Sequence, residues 1–325
     1  MVTTVDVRGV PHAYEITGPS SSSTTLVFLH GWLLSRAYWR PTIQQLATEY
    51  QCLSYDLRGF GDSQPPARSP STHPLLETAS TSVSAPVTAG AVMLRSEASR
   101  SLSGRDRPPG YTPADYAQDL VLLLEQLHLA NVWLVGHSLG GSIALWAADL
   151  MPERVKGVIC INSGGGIYLK EEFEKFRAAG QQLIKLRPRW LCYLPLLDVM
   201  LTWLNVAHPI ARSWGRQRLL DLVTANREAA LGALLESTTE AEVHALPQVV
   251  ARLQQPVYFV AGANDTVMEP KYVRHLASFH HSFQYRGDNV IEIPDCGHLA
   301  MVEHPETVTH HIQQILSHGG TSCHP

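Results

Sequence analysis

Long uninterrupted apolar runs, paired cysteines and an excess of either charge are all missing from this sequence. The most apolar window, Trp190 to Val206 (WLCYLPLLDVMLTWLNV), is interrupted by Pro195, Asp198, Thr202 and Asn205. A membrane-spanning helix needs about 20 predominantly apolar residues, so a buried or cap helix is expected there. The start, MVTTVDVRGV, has no hydrophobic signal core, and a secretory signal is not expected. The five cysteines (Cys52, Cys160, Cys192, Cys296 and Cys323) are scattered, with no C-x-x-C pair. Reduced thiols and a cytoplasmic location are the expectation. No metal-ligand spacing stands out. His280-His281 and His310-His311 are expected on helix or loop surface, and neither metal nor cofactor is expected. The formal net charge is -4, from 25 basic and 29 acidic residues, so a nucleic-acid partner is not expected. No basic stripe supports peripheral membrane contact, and nothing in the sequence sets an oligomeric state.

What is present is a rhythm of short apolar runs and helical periods. Val5–Val7 and His12–Ile16 alternate around Gly9 and read as two early strands. Thr25–Leu29, Cys52–Tyr55, Asn131–Val135, Val155–Ile161, Pro256–Ala261 and Val290–Ile293 read as six more. Several are continuously apolar, as strands covered on both faces are. Helical spacing fits Tyr38–Thr48, Tyr116–Leu127, Ser138–Leu150, Pro270–Phe279 and Pro305–Leu316. The alternation predicts an α/β fold with a mostly parallel sheet and helices on both faces. A chain of 325 residues can bury one such large core and still carry an inserted subdomain.

Two stretches break the rhythm. Gln64 to Gly110 is rich in Pro, Ser, Thr, Ala and Arg, without sustained apolar period. A disordered or loosely ordered surface insertion (64–110) within the core is expected there. Residues 164–250 are helical in pattern and strongly apolar in the middle, which predicts a helical cap between the two parts of the core, 1–163 and 251–325. The apolar residues Leu191, Leu194, Leu196, Leu197, Val199, Met200, Leu201, Trp203 and Leu204 are expected to pack on each other and on the core, with any remainder lining a pocket for a lipid-like group.

The chemistry is concentrated in VWLVGHSLGGSIALW, Val132 to Trp146, where an apolar run meets a helical one. Gly136-His137-Ser138-Leu139-Gly140 is a G-x-S-x-G sequence. Three fixed positions at roughly 7% each give about 0.1 chance matches in such a chain, so the weight lies in the strand-to-helix context. A serine at that turn has a strained backbone and projects its hydroxyl out of the sheet. The helix start supplies free N–H groups and a partial positive charge. Ser138 is therefore the candidate nucleophile.

A serine hydroxyl needs a base. His298 follows the last strand in IEIPDCGH and is the candidate; His304 reads as a helix-start residue. The base needs a carboxylate to fix its tautomer. Asp265, at the end of PVYFVAGAND, is the choice over Asp295, which is too near His298 in sequence, and over Asp56, expected to pair with Arg58 or cap a turn. The N–H groups of Leu139 and Trp32 are the candidate oxyanion donors. His30, Gly31 and His137 are placed at the substrate-binding edge; His30 is also expected to brace loops and His137 to support the turn.

These motifs together resemble the capped serine hydrolases of the α/β-hydrolase fold. The resemblance rests on HGW at 30–32, DLRGFGDS at 56–63, GHSLGG at 136–141, GAND at 262–265 and GH at 297–298. It spans nearly the whole chain, and the order Ser, Asp, His agrees with the family's. It implies an eight-stranded sheet with the cap after the sixth strand. It also implies hydrolysis of a carboxylic ester of a hydrophobic small molecule or lipid. Relatives with the same three residues cleave C–C bonds or act as lyases or perhydrolases, and a non-hydrolytic binding protein on the same scaffold is a further alternative. The stretch at 64–110 departs from the family, in which DLRGFGDS runs through a short loop into the helix seen here at YTPADYAQDL.

Overall fold

The short apolar runs form the strands of one eight-stranded sheet, in the order β1-β2-β4-β3-β5-β6-β7-β8. The computed structural model describes residues 1–66, 110–165, 170–286 and 289–319. The strands are β1 (Thr3–Val7), β2 (Val10–Thr17), β3 (Thr25–Leu29), β4 (Gln51–Tyr55), β5 (Val132–His137), β6 (Val155–Ile161), β7 (Val257–Gly262) and β8 (Val290–Ile293). β2 pairs antiparallel with β1 and β4, and every other pairing is parallel. The eight predicted strands are all found, with ends shifted by a residue or two.

Strand periodicity divides the core. In β3, Leu26 and Phe28 enter one apolar cluster with Trp39, Ile43 and Leu46, and Val27 and Leu29 enter another with Leu120, Leu123 and Leu124. Successive side chains of a strand point to opposite faces, so a strand buried on both sides must be apolar throughout. β3 and β5 are buried at every residue. The first face is covered by α1 (Arg40–Leu46) and α12 (Pro305–Gly319), through Ile43, Leu46, Ile312 and Ile315. The second is covered by α2 (Pro113–Gln126), α3 (Leu139–Leu150) and α9 (Pro270–Ala277), among others. α2 begins where its sequence, TPAD, dictates. Thr112 Oγ1 accepts from the Asp115 N–H at 3.0 Å, Asp115 Oδ2 accepts from the Thr112 N–H at 3.2 Å, and Pro113 opens the first turn.

Between β6 and β7 the described chain is helical: α4 (Lys170–Lys185), α5 (Leu197–Met200), α6 (Arg212–Thr224), α7 (Arg227–Ser237) and α8 (Glu240–Arg252). These helices belong to the same compact unit as the sheet. α10 (His281–Arg286) and α11 (Ala300–Glu303) are short turns near the end of the chain. Most of the expected insertion, residues 67–109, lies outside the described residues.

Two expectations are corrected. Of the two roles expected for Asp56, it does not pair with Arg58, but it does cap a turn, that of Arg36–Trp39. It forms a buried ion pair with Arg36, and its carboxylate also accepts from the N–H groups of Arg36 (2.7 Å) and Asp62 (2.8 Å). Arg58 turns the other way, donating to Asp119 at 2.8 Å and stacking between Tyr111 and Tyr116. Two residues apart in an extended segment would share a side, but the chain turns at Arg58, with the Phe60 N–H on the Leu57 carbonyl at 2.9 Å, and the two charges meet different partners. The apolar stretch after Trp190 is also not core. Leu194, Leu196, Met200, Trp203 and Leu204 are exposed, and Leu191, Leu197, Val199 and Leu201 only half-buried.

α6 carries Asp221 to a buried position, where it accepts from Ser35 Oγ at 3.1 Å and from Gln217 Nε2 at 3.0 Å. Burial raises its carboxyl to about 7 in spite of those hydrogen bonds, and the charge of Asp56 adds to the shift. Such a group binds its proton more tightly folded than unfolded. Its contribution therefore favours folding below the ordinary value of 3.8 and is lost as the pH rises through about 7. Asp221→Asn, which can keep both hydrogen bonds, is expected to raise the urea midpoint above 7 and to leave it nearly unchanged in acid. A variant less stable than the parent above 7 would contradict this origin.

Candidate active site

Four loops at one end of the parallel strands converge on Ser138. The serine sits between β5 and α3 with φ 52° and ψ −119°, a left-handed conformation that L-residues rarely adopt. The turn closes because its neighbours lack side chains. A Cβ on Gly136 would overlap the Gly140 carbonyl oxygen, and one on Gly140 would lie 2.5 Å from the Leu29 carbonyl oxygen. The strand and the first helical turn thus touch backbone to backbone, which any Cβ would force apart.

The loop after β8 reaches the serine. His298 Nε2 lies 3.2 Å from Ser138 Oγ, and His298 Nδ1 lies 2.7 Å from Asp265 Oδ2. A carboxylate can only accept, so Nδ1 carries the proton and Nε2 presents its lone pair to the serine hydroxyl. Asp265 is just beyond β7. Its Oδ1 accepts from the N–H groups of Val267 (2.8 Å) and Met268 (2.9 Å), and its Oδ2 also accepts from Asn162 Nδ2 (2.9 Å). Burial by itself would raise this carboxyl, but the facing His298 and these hydrogen bonds outweigh it and hold it below the usual range. It is therefore ionised across the neutral range. Ser138 is half-buried, while Asp265 and His298 are buried.

The loop after β3 lies against this turn: a Cβ on Gly31 would come 2.7 Å from His137 Nδ1 and 3.2 Å from Ser138 Cβ. That places the backbone of Gly31-Trp32 beside Ser138. The Leu139 N–H is in the first turn of α3, where no intrahelical acceptor exists. The Trp32 ring donates from Nε1 to the Ala230 carbonyl at 2.8 Å and lines a cavity of about 90 Å³ with Ser138, Leu139, Phe176, Leu234 and Met268, among others.

His30 and His137, expected at the substrate edge, stand behind the cavity and do not line it. His30 is fully buried; its Nε2 accepts from the Leu57 N–H at 2.9 Å, so its Nδ1 donates to the Gly31 carbonyl at 2.8 Å. Burial also lowers its pKa. His137 donates from Nε2 to the His298 carbonyl at 2.7 Å. Burial, and then the neighbouring His298, pull it down to about 3, so it is a neutral brace. Gly31 is buried in the contact just described.

Two residues at the site were not singled out from sequence. Asn162, at the end of β6, bridges Asp265 Oδ2 and the Gly297 carbonyl (3.1 Å). Glu303 holds the loop that carries the histidine, accepting from the N–H groups of Gly297 and Leu299, each at 2.9 Å. Their signal was position alone: a polar residue at a strand end in line with the others, and an acid one turn beyond the histidine.

Because the turn depends on backbone contact at Gly136, Gly136→Ala is expected to lower the unfolding free energy by about 1–3 kcal/mol. Chemical denaturation reads this, and a variant as stable as the parent would show that the turn has room to spare.

The chain was compared with known proteins. It is 27% identical over 294 residues to a 2-succinyl-6-hydroxy-2,4-cyclohexadiene-1-carboxylate synthase of Enterobacter sp. (strain 638), covering 90% of this chain and 91% of that one. It is 25% identical over 295 residues to the uncharacterised hydrolase YugF of Bacillus subtilis (strain 168), covering 90% and 89%. Among solved structures, a thermophilic esterase from Thermogutta terrifontis superposes with a TM-score of 0.68 at 21% identity, over 99% of this chain and all of that one. The family model for the alpha/beta hydrolase fold matches residues 24–305. With its eight-stranded, mostly parallel sheet, the chain belongs to the α/β-hydrolase fold family.

Proposed function

We propose that this protein is a serine hydrolase that cleaves a carboxylic ester through an acyl-enzyme on Ser138. The observation that carries the reading is the hydrogen-bonded line from Asp265 through His298 to Ser138, ending at a cavity. His298 Nε2 takes the hydroxyl proton as Ser138 Oγ attacks the ester carbonyl. The N–H groups of Leu139 and Trp32 hold the oxyanion, and Asp265 stabilises the imidazolium through Nδ1–H. His298 then gives the proton to the departing alcohol. Water enters, loses a proton to the same nitrogen and attacks the acyl carbon; the bond to Ser138 Oγ then breaks, His298 returns the proton to Oγ, and the carboxylic acid leaves.

The cavity guides the substrate class. Its apolar wall from Trp32, Phe176, Leu234, Val267 and Met268 suits a hydrocarbon group. At about 90 Å³ it is smaller than the ~150 Å³ that holds a benzene ring, so the acyl part is short. Phe176 and Leu234 come from α4 and α7, which act as the cap over the site; a larger alcohol part would lie outside. A second reading keeps the same three residues and breaks a C–C bond or eliminates a group instead. The similarity to a synthase at 27% identity favours keeping it.

The parent enzyme is expected to hydrolyse p-nitrophenyl butyrate and to act poorly on p-nitrophenyl palmitate. Ser138→Ala should lower kcat by about 10⁴-fold or more, and Asp265→Asn by on the order of 10³–10⁴-fold with the fold intact. Turnover of a vinylogous diketone with none of the esters would transfer the assignment to C–C cleavage. Full ester hydrolysis by Ser138→Ala would end the serine mechanism.

A further inference from the structure

The segment between α4 and α6 exposes large apolar side chains that a water-facing surface does not need. Tyr193 is 87% exposed, Met200 69%, Trp203 63% and Trp190 58%. None of them lines the cavity at Ser138. Isolated exposed apolar residues are ordinary, but a concentration within fifteen residues marks a contact surface.

The charge around them is equally uneven. Residues 183–220 hold six basic residues and one acidic residue, in a chain whose net charge is -4. The one acid, Asp198, is buried and bound by Arg212 (2.8 Å) and Arg216 (3.7 Å), so the pair of arginines keeps a positive excess. Lys185 and Arg189 are also exposed. A surface pocket of about 270 Å³ brings both features together, lined by Tyr193, Leu194, Leu196, Leu220, Arg212 and Arg216. The basic groups do not form a stripe along one helix. Arg212 and Arg216 lie on α6, the turn that begins at Arg189 packs against that helix, and Lys185 ends α4 four residues before it, so the sequence pattern does not display a stripe.

We propose that this surface docks the protein onto an anionic lipid bilayer. Trp and Tyr favour the boundary between headgroups and hydrocarbon, Leu and Met enter the acyl region, and Arg and Lys meet lipid phosphates. A second copy of the chain is the poorer occupant, because a two-fold contact would set this basic rim against itself. The contact is peripheral: among the described residues no helix is long and apolar enough to cross a membrane. The surface also continues into the candidate active site. Asn205, two residues after Trp203, accepts the His298 N–H through its backbone carbonyl at 2.9 Å, and Ala207 N–H donates to Glu303 at 2.8 Å. Docking therefore brings the histidine loop close to the bilayer, where amphiphilic esters would be concentrated.

Co-sedimentation of the full chain with vesicles tests this by reading binding and not turnover, so the result stands whether or not Ser138 is a nucleophile. The protein is expected to pellet with vesicles of equal parts phosphatidylcholine and phosphatidylglycerol, and about tenfold more weakly with phosphatidylcholine alone or at high salt. Replacing Trp190, Tyr193, Met200 and Trp203 together by Ser should abolish pelleting, with far-UV circular dichroism and butyrate-ester hydrolysis unchanged. Lys185→Gln with Arg189→Gln should weaken binding to the mixed vesicles and leave the weak binding to neutral ones. No pelleting with the mixed vesicles, or equal pelleting of the four-Ser variant, would overturn the proposal. So would a dimer in sedimentation velocity that the four-Ser variant loses, without vesicle binding, since the surface would then belong to a second copy.

Discussion

Backbone-to-backbone contact between the end of β5 and the first turn of α3 governs the geometry of the site. Gly136 and Gly140 approach so closely that Ser138 has no relaxed conformation left to it. The left-handed backbone costs on the order of 1–3 kcal/mol, and the buried strands on either side of β5 supply the packing that offsets it. The same contact aims the serine away from the sheet and leaves the Leu139 N–H without an intrahelical acceptor. The serine hydroxyl and a free N–H beside it, the two groups the proposed reaction calls on, thus arise from one turn.

The remaining groups are held by a ring of neutral or fully paired side chains. His30 and His137 are kept uncharged by burial and spend their ring N–H groups on backbone carbonyls. His137 grips the carbonyl of the residue whose imidazole faces Ser138. Asn162 joins the loops after β6, β7 and β8, and Glu303 fixes the loop after β8 from below. Within this ring Asp265 is buried and held ionised, and it has four hydrogen-bond donors to compensate it. This arrangement confines charge to the line from Asp265 to Ser138, where it can move a proton.

The strands and their order of appearance were legible because burial on both faces demands continuous apolar runs, and Thr25–Leu29 and Val132–Val135 can be little else. Ser138, Asp265 and His298 were legible as polar residues placed just past strand ends, and the fold brings them within hydrogen-bond reach. Pairings among buried charges were not legible. Whether Asp56 meets Arg58 or Arg36 is decided by which side of a loop each faces, which spacing does not encode. The surface role of Trp190 to Leu204 was hidden for a related reason. Its composition matches a core helix, and only the tertiary structure shows that Trp190, Tyr193, Met200 and Trp203 are exposed. Asn162 meets a carboxylate and a carbonyl from two other loops and Glu303 holds backbone N–H groups, and such contacts leave no motif.

The central claim is that Ser138 is made reactive by His298 and Asp265. Treating the protein with a fluorophosphonate and mapping the modified peptide tests it most directly. The account predicts a single phosphonyl adduct on Ser138, formed much more slowly in Asp265→Asn. An unmodified protein after prolonged exposure, or an adduct on another residue, would contradict it.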